Sequence, residues 1–143
     1  WKLASGAESN TTAQNLTLPA GTSYLYCNNL WASGVQVSAG STGSNFTGGL
    51  SVFGNLTYLL NLSNCSLVTG VLSPKATLSY INLSYTGVSS ADLDTSISNL
   101  NTITTVAGGT LKLSGLTRSS ASTTAINALI TKGWAVTDAT VVG

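Results

Sequence analysis

The middle of the chain carries an alternating pattern of apolar and polar positions that occurs twice. Leu56-Thr57-Tyr58-Leu59 is echoed by Leu78-Ser79-Tyr80-Ile81, and Asn61-Leu62-Ser63 returns as Asn82-Leu83-Ser84 at a spacing shorter by one position. Because side chains on a strand alternate between its two faces, this pattern predicts one short strand in each copy, with its leucines buried. Copies that return at a nearly fixed spacing predict parallel strands stacked around one shared core.

A second echo lies beside the first, since the segment 46–51 returns at the same spacing as the segment 68–73. In a stacked repeat protein, one coil is a strand together with the turn and the chain that lead to the next strand. Upstream, residues 24–30 and 35–37 resemble degenerate coils of irregular spacing. We therefore predict a single domain, 1–143, with three parts. These are an irregular N-terminal arm with degenerate coils (1–45), a repeat core (46–88) and a helix–strand C-terminal cap (89–143).

After residue 88 the apolar spacing changes from that of strands to that of helices. Ser89 is followed three residues later by Asp92, which is the pattern of a helix N-terminal cap. Leu93, Ile97 and Leu100 then supply an apolar stripe at helical spacing.

A second helix is predicted to begin at Ser120 or Ser122 and to end at Lys132-Gly133, where glycine suits the left-handed residue that follows a last turn. Its apolar positions are Ala125, Ile126, Leu129 and Ile130. Strands are predicted on either side of this helix, at residues 110–114 and 134–142.

The repeat resembles the leucine-rich repeat, whose unit reads L-x-x-L-x-L-x-x-N/C-x-L. Cys65 stands at the Asn/Cys position of that unit, and Thr86 replaces it in the next copy. The resemblance implies a β-rich α/β solenoid of stacked short parallel strands, with two helices in the C-terminal third. Residues 119–136 also resemble end modules of secreted or surface bacterial repeat proteins and phage tail fibres.

The composition narrows the classes of function. Only 6% of the residues are charged and the net charge is +1. The chain therefore lacks the positive electrostatic field that would attract the phosphates of a nucleic acid. It contains no histidine, which excludes a Ser-His-Asp triad and histidine-based acid–base catalysis. No apolar run is long enough to span a bilayer. So little surface charge requires glycans or neighbouring copies as a cover, and this indicates an extracellular or cell-surface location.

Asparagine offers candidate glycosylation sites. N-x-S/T sequons occur at Asn10, Asn15, Asn45, Asn55, Asn61, Asn64 and Asn82. Asn61 and Asn82 occupy equivalent, outward-facing positions of the two predicted strands. They are interpreted as glycan acceptors, as a polar row whose side chains hydrogen-bond between copies, or simply as exposed polar residues.

The outward face of the predicted strands is the candidate binding face. Its residues are Tyr58, Asn61, Ser63, Tyr80, Asn82, Ser84 and Lys112. In leucine-rich-repeat proteins this face commonly binds partners, and Tyr with Ser and Asn suits adaptable contacts. The alternative interpretation is a solvated face with ordinary cross-strand pairs.

The remaining candidates for chemistry are few. Cys27 and Cys65 either form a disulfide or are two small buried apolar residues. Asp92 and Asp94 are the one close pair of carboxylates, and in the first turn of a helix they are predicted to match its dipole. We predict no catalytic residue, no metal site and no cofactor.

Three functional classes follow from these features. The first is a non-enzymatic structural subunit of an extracellular fibre or filament, whose partner is another copy of the chain. The alternative is an adhesive module that binds a glycan or a cell-surface protein, and an enzyme ranks third.

Overall fold

The computed structural model describes residues 2–3, 25–26, 34–36 and 47–143, and within them it is a mixed α/β structure with short parallel strands and two α-helices. The helices are α1 (Ser90–Ile103) and α2 (Thr123–Thr131), with short 3-10 segments η1 (Leu50–Phe53) and η2 (Ser120–Ser122). The strands are β1 (Lys2–Leu3), β2 (Leu25–Tyr26), β3 (Gly34–Gln36), β4 (Thr47–Gly49), β5 (Leu59–Asn61), β6 (Leu67–Thr69), β7 (Tyr80–Asn82), β8 (Thr110–Lys112), β9 (Thr117–Ser119), β10 (Ala135–Thr137) and β11 (Thr140–Val142).

The largest sheet has five strands, and every neighbouring pair in it is parallel. Its order is β3, β5, β7, β8, β10, which is also the order along the chain. Leu60 lies opposite Ile81 and Asn61 lies opposite Asn82, so the predicted pairing of the two copies is confirmed. Strands from all three predicted parts of the chain belong to this sheet.

The register departs from the predicted echoes in two places. Tyr80 lies opposite Leu59 rather than Tyr58, because the first copy has an extra residue before the middle of its strand. The carbonyl oxygen of Tyr58 accepts two consecutive backbone N–H groups of the next strand, at 3.1 and 3.0 Å. In a separate two-stranded sheet, β4 pairs with β6 so that Gly48 lies opposite Val68, whereas the echo in the sequence matches Gly48 with Gly70.

The described parts of the two upstream segments pair differently. Residues 35–36 belong to β3, which pairs in parallel with β5. Residues 25–26 form β2, which pairs antiparallel with β1 in a separate two-stranded sheet, and the rest of the segment 24–30 lies outside the described residues. This pairing joins segments that are distant in the sequence, and the local apolar spacing carries no signal for it.

Inward-facing side chains of successive strands stack into apolar rows. The middle residues of β5, β7 and β8 are Leu60, Ile81 and Leu111, and all three are buried. A second row, two residues further along the chain, consists of Leu62, Leu83 and Leu113. Since burial of one such side chain contributes about 1.5–3 kcal/mol, these rows contribute strongly to the stability of the core.

Three successive strands of the sheet are followed by the same tight turn. Cys65, Thr86 and Leu116 each donate a backbone hydrogen bond to the residue three positions earlier, at 3.1–3.2 Å. The predicted equivalence of Cys65 and Thr86 is thereby confirmed. The residue before each donor has a positive φ: Asn64 (64°), Tyr85 (58°) and Gly115 (73°). We call one strand of the large sheet, with its turn and the chain that returns to the next strand, a coil.

Helix α1 begins as the sequence predicts. The Ser89 hydroxyl accepts the backbone N–H of Asp92 at 3.2 Å and donates to the carboxylate of Asp92 at 2.8 Å. Leu93, Ile97 and Leu100 are buried against the sheet.

Helix α2 follows η2, and Ser122 is its N-terminal flanking residue, one of the two predicted starts. Gly133 has a φ of 87°, as expected after the last turn. Three predicted apolar positions are buried, namely Ala125, Ile126 and Leu129. The fourth, Ile130, lies in the helix as predicted and is 52% exposed.

The predicted strand 134–142 is two strands, β10 and β11. The chain turns between them at Asp138, whose carboxylate accepts the N–H of Ala139 at 2.7 Å. Trp134 precedes β10 as a buried residue, and its indole N–H donates to the carbonyl of Val106 at 3.0 Å. A Cβ at Gly109 would lie 2.6 Å from the Trp134 ring, so this contact requires glycine.

Candidate functional site

The outward face of the large sheet brings together four of the seven predicted binding-face residues. Asn61, Asn82 and Lys112 lie opposite one another on neighbouring strands and form one row. Tyr80 lies two residues before Asn82 and is half-buried on the same face. The ammonium group of Lys112 lies 5.7 Å from the centre of the Tyr80 ring, a distance at which a cation is attracted to an aromatic face.

The other three predicted residues do not join this row. Ser84 is only 7% exposed, because it lies beyond the strand end where the chain turns inward, so its inclusion in an accessible face is wrong. Ser63 occupies the corresponding place in the preceding coil and is half-buried. Tyr58 is 62% exposed but lies one position before the residue that faces Tyr80.

The two equivalent asparagines shape the ends of their strands. The side-chain oxygen of Asn61 accepts the N–H of Ser63 at 3.2 Å, and that of Asn82 accepts the N–H of Ser84 at 3.1 Å. These hydrogen bonds run within each coil, whereas the polar-row interpretation placed them between coils. The side-chain oxygens of both sequon asparagines therefore stabilise the turn that follows the strand.

The remaining sequons differ in exposure. Asn64 is exposed at the tip of its turn, and Asn55 is half-buried. Asn10, Asn15 and Asn45 lie outside the described residues.

Tyr85 is a residue of this region that the sequence analysis did not single out. It is 57% exposed and its φ is 58°, a conformation that a bulky side chain rarely adopts. Its ring covers the backbone of Gly115, where an added Cβ would lie 2.3 Å from the ring. The signal in the sequence was its position three residues after Asn82, where the preceding coil has Asn64.

The two close carboxylates have separate structural roles. Asp92 caps α1 through Ser89 as described above. Asp94 reaches to the next helical segment, where it accepts hydrogen bonds from the hydroxyls of Ser119 at 2.6 Å and Ser122 at 2.5 Å. Asp94 therefore ties α1 to the start of η2 and α2.

A buried ion pair that the sequence pattern did not predict lies in the last described coil. Arg118 is 3% exposed and binds Asp138 through two hydrogen bonds of 2.8 and 2.7 Å. Its remaining nitrogen donates to the carbonyl of Ser119 at 3.1 Å and the hydroxyl of Thr123 at 2.9 Å. The signal that could have revealed this pair is the register of the strands. Thr137 lies opposite Lys112, so Asp138, the next residue, stands where earlier coils have a leucine.

These contacts set the charge states of the three groups. Burial alone would raise the pKa of Asp94, but hydrogen bonds from Ser119 and Ser122, with the charge of Arg118, lower it below its ordinary value. The hydrogen bonds from Arg118 lower the pKa of Asp138. The same hydrogen bonds raise the pKa of Arg118, so the pair is fully ionised at neutral pH.

Two strand edges are open at the C-terminal end of the described structure. Within the described residues, β10 pairs only with β8 and β11 pairs only with β9. Val141 lies opposite Arg118 and points to the same side of its sheet, yet it is 49% exposed while Arg118 is buried. Val142 is 41% exposed. The exposure of Val141 thus arises because no further strand of the described chain covers it.

Among the strands that the structure describes, β3 is the outer strand at the opposite end of the large sheet, and β4 is the outer strand at that end of its two-stranded sheet. Lys2–Leu3 pairs antiparallel with β2 in a separate two-stranded sheet.

The predicted cysteine pair stays a prediction. Cys65 is fully buried in the core, and its thiol lies 3.8 Å from the carbonyl oxygen of Ser63. Cys27 lies outside the described residues. In the described ranges, no three His, Cys, Asp or Glu side chains are grouped so that they could hold a metal ion. No helix in this part of the chain combines the length and the apolar character needed to cross a membrane.

The chain was compared with protein-family models, with curated proteins and with solved structures, and none of the three comparisons gave a match.

Proposed function

We propose that this chain is a non-enzymatic structural subunit of an extracellular fibre, and that its coils form a leucine-rich-repeat-like solenoid whose ends join to other copies. The observation that carries the proposal is the pair of open, uncharged strand edges at β10 and β11. Unpaired backbone N–H and C=O groups on such an edge are a template for another strand, and charged side chains are the usual protection against this. Neither strand contains an ionisable residue.

Support for the solenoid comes from the repetition of three features from coil to coil. They are the parallel register, the buried leucine rows and the tight turn with a left-handed residue. Each coil buries its apolar side chains against its neighbours, so the last described coil leaves an apolar surface that no other described element covers. The exposed Val141 is such a surface.

Support for a non-enzymatic role comes from the use of the acidic groups. Asp92, Asp94 and Asp138 are all engaged in hydrogen bonds that shape helix ends or the last coil. A carboxylate that acts as general acid needs a raised pKa, whereas those of Asp94 and Asp138 are lowered.

Sedimentation velocity and negative-stain microscopy test the proposal. We expect the wild-type chain to form filaments and the Val141→Lys/Val142→Lys variant to sediment as a monomer. The matched control is Ile130→Lys, which adds a charge at a similarly exposed aliphatic position on α2 and should assemble like the wild type. A wild-type chain that stays monomeric at high concentration contradicts the proposal.

The second candidate function is an adhesive module, and the row of Asn61, Asn82 and Lys112 beside Tyr80 favours it. A flat face with amide, ammonium and aromatic groups suits hydrogen bonding and stacking with a glycan. A glycan array probed with wild type and with Lys112→Ala tests this alternative. A signal that the variant loses supports it, and no signal on the array with wild type counts against it.

A further inference from the structure

We infer that the partner at the open end is the opposite end of a second copy, which joins head to tail and continues the five-stranded sheet in the same direction. This inference rests on the proposed function and specifies its interface. All five described strands run the same way and follow one another in chain order, so the two outer edges that the described residues present, at β3 and at β10, are different from each other. An interface between unlike edges repeats indefinitely and produces a filament.

The hydrogen-bond pattern inside the sheet defines what each edge offers. The N–H groups of Tyr80, Thr110 and Ala135 each donate to the preceding coil, at 3.0, 2.8 and 2.8 Å. The N–H groups three residues after Leu59, Tyr80 and Thr110 donate to the following coil instead, at 2.9, 3.0 and 2.8 Å. They belong to Leu62, Leu83 and Leu113. Successive residues of a parallel strand thus direct their backbone groups to alternate neighbours.

The same alternation applies to the two outer strands. Gly34 and Gln36 on β3 correspond to Leu59 and Asn61 of the next coil, so their N–H groups point away from the sheet. At the far edge, the N–H group of Ala135 points into the sheet. The N–H and C=O groups of the next residue, Val136, therefore point outward. Val136 of one copy can therefore pair between Gly34 and Gln36 of the next, as Leu60 pairs with the strand that contains Tyr80 and Asn82.

A second pair of edges matches in the same way. β4 lies at the N-terminal end of its sheet with β6, and β11 lies at the C-terminal end of its sheet with β9. Both of these pairs are parallel. The copy that joins β10 through β3 thus brings β4 towards β11, and its first coil would cover the exposed Val141 and Val142.

Charge does not oppose this contact. The four strands that meet, β3, β4, β10 and β11, contain no ionisable residue. Asp138, which lies between β10 and β11, is neutralised by Arg118 within its own copy. A partner with a strongly charged strand would lose hydration at this edge without gaining an ion pair, whereas a second copy brings an uncharged one.

The geometry gives the filament a characteristic repeat. Strands of a sheet lie about 4.8 Å apart, so the five strands that the structure describes in one copy correspond to an axial repeat of about 24 Å. All copies point the same way, and the filament is polar.

A mixing experiment with two blocked variants tests the inference. Val141→Lys/Val142→Lys blocks the C-terminal edge, and Gln36→Pro removes an outward N–H from the N-terminal edge. We expect each variant alone to be monomeric and an equimolar mixture to form a one-to-one heterodimer by sedimentation equilibrium. Circular dichroism melting curves show whether each variant is folded. Electron microscopy of wild-type filaments measures the axial repeat, which tests the same interface without any variant.

The outcomes separate this inference from the proposed function. Homodimers of the Gln36→Pro variant, or wild-type filaments without the axial repeat of one five-stranded copy, overturn the head-to-tail interface while self-assembly stands. A mixture that stays monomeric although both variants are folded and the wild type assembles overturns it as well. A wild-type chain that does not assemble overturns the proposed function itself.

Discussion

Asp138 replaces an apolar side chain in a stacked row, and Asp138 and Arg118 depend on each other. Asp138 stands where the preceding coil has the buried Leu113, while Arg118 lies 3% exposed beneath it. An arginine at this depth is tolerated because Asp138, Ser119 and Thr123 accept its hydrogen bonds. Removal of the carboxylate would leave a buried cation without a counter-charge.

We therefore predict that Asp138→Ala lowers the free energy of unfolding by about 2–4 kcal/mol, somewhat less than for a fully buried pair because the Asp138 side chain is 34% exposed. The double variant Arg118→Leu/Asp138→Leu should be clearly more stable than Asp138→Ala, since it removes both charges together and leaves no buried cation without a counter-charge. Urea unfolding of the three proteins measures both effects. Equal destabilisation by the single and double changes would show that the pair does not act as a unit.

Tyr85 occupies a left-handed position that Asn64 and Gly115 fill in the neighbouring coils. The conformation costs an ordinary side chain about 1–2 kcal/mol, and asparagine adopts it more readily. We predict that Tyr85→Asn raises the free energy of unfolding by about 0.5–1 kcal/mol. Tyr85→Ala is the matched control, because it removes the same ring contact with Gly115 but keeps an unfavourable side chain for this φ. Equal stability of the two variants in chemical unfolding would contradict the argument.

At the scale of elements, Asp94 joins α1 to η2 and Asp138 joins the loop after β10 to β9. Both carboxylates have a pKa below the ordinary value of about 3.9. The unfolded chain then takes up protons at a higher pH than the folded one, so these contacts contribute their full stability above about pH 5 and lose it as the pH falls below about 4.

We predict that the melting temperature is steady between pH 5 and 7 and falls between pH 4 and 2. The Asp94→Asn variant should show a shallower fall, because one of the two linked groups no longer titrates. Circular dichroism melts at each pH provide the measurement. An acid transition of unchanged steepness in the variant would assign the effect to other groups.

The elements that the sequence predicted are those whose signals are local. The strands β5 and β7 follow from alternating leucines, and α1 follows from the Ser89 cap and a stripe at helical spacing. The candidate face was only partly predictable, because one extra residue before β5 moves Tyr58 out of line and a turn buries Ser84.

What remained hidden depends on contacts between distant segments. The antiparallel pairing of β1 with β2 has no periodic signal. Arg118 and Asp138 are far apart in the sequence and become partners only when the register of the last coil is known. From the sequence alone, a charged residue in an otherwise apolar row is predicted to be exposed on the surface. Its burial can be predicted only when its ion-pair partner is also known.

At the scale of the whole molecule, the charge is so low that the proposed assembly depends on apolar burial and backbone hydrogen bonds. The chain has a net charge of +1 and 6% charged residues. Among the described cations, Arg118 is paired with Asp138, Lys112 lies against Tyr80 and Lys132 donates to Asn101. None of these groups belongs to the open strands β10 and β11.

Self-association is therefore expected to be insensitive to salt. Raising the ionic strength from 0.1 to 1 M shortens the range of electrostatic interactions from about 10 to about 3 Å, which weakens contacts between exposed charges and leaves apolar contacts intact. We predict that sedimentation profiles of the wild-type chain in 0.1 and 1 M sodium chloride show the same extent of assembly. The Val141→Lys/Val142→Lys variant, which adds like charges at the edge, should regain some association in high salt because its repulsion is screened. Dissociation of the wild type in 1 M salt would mean that charged groups such as Lys112 hold the copies together, and the interface would then lie on the outward sheet face rather than at the strand edges.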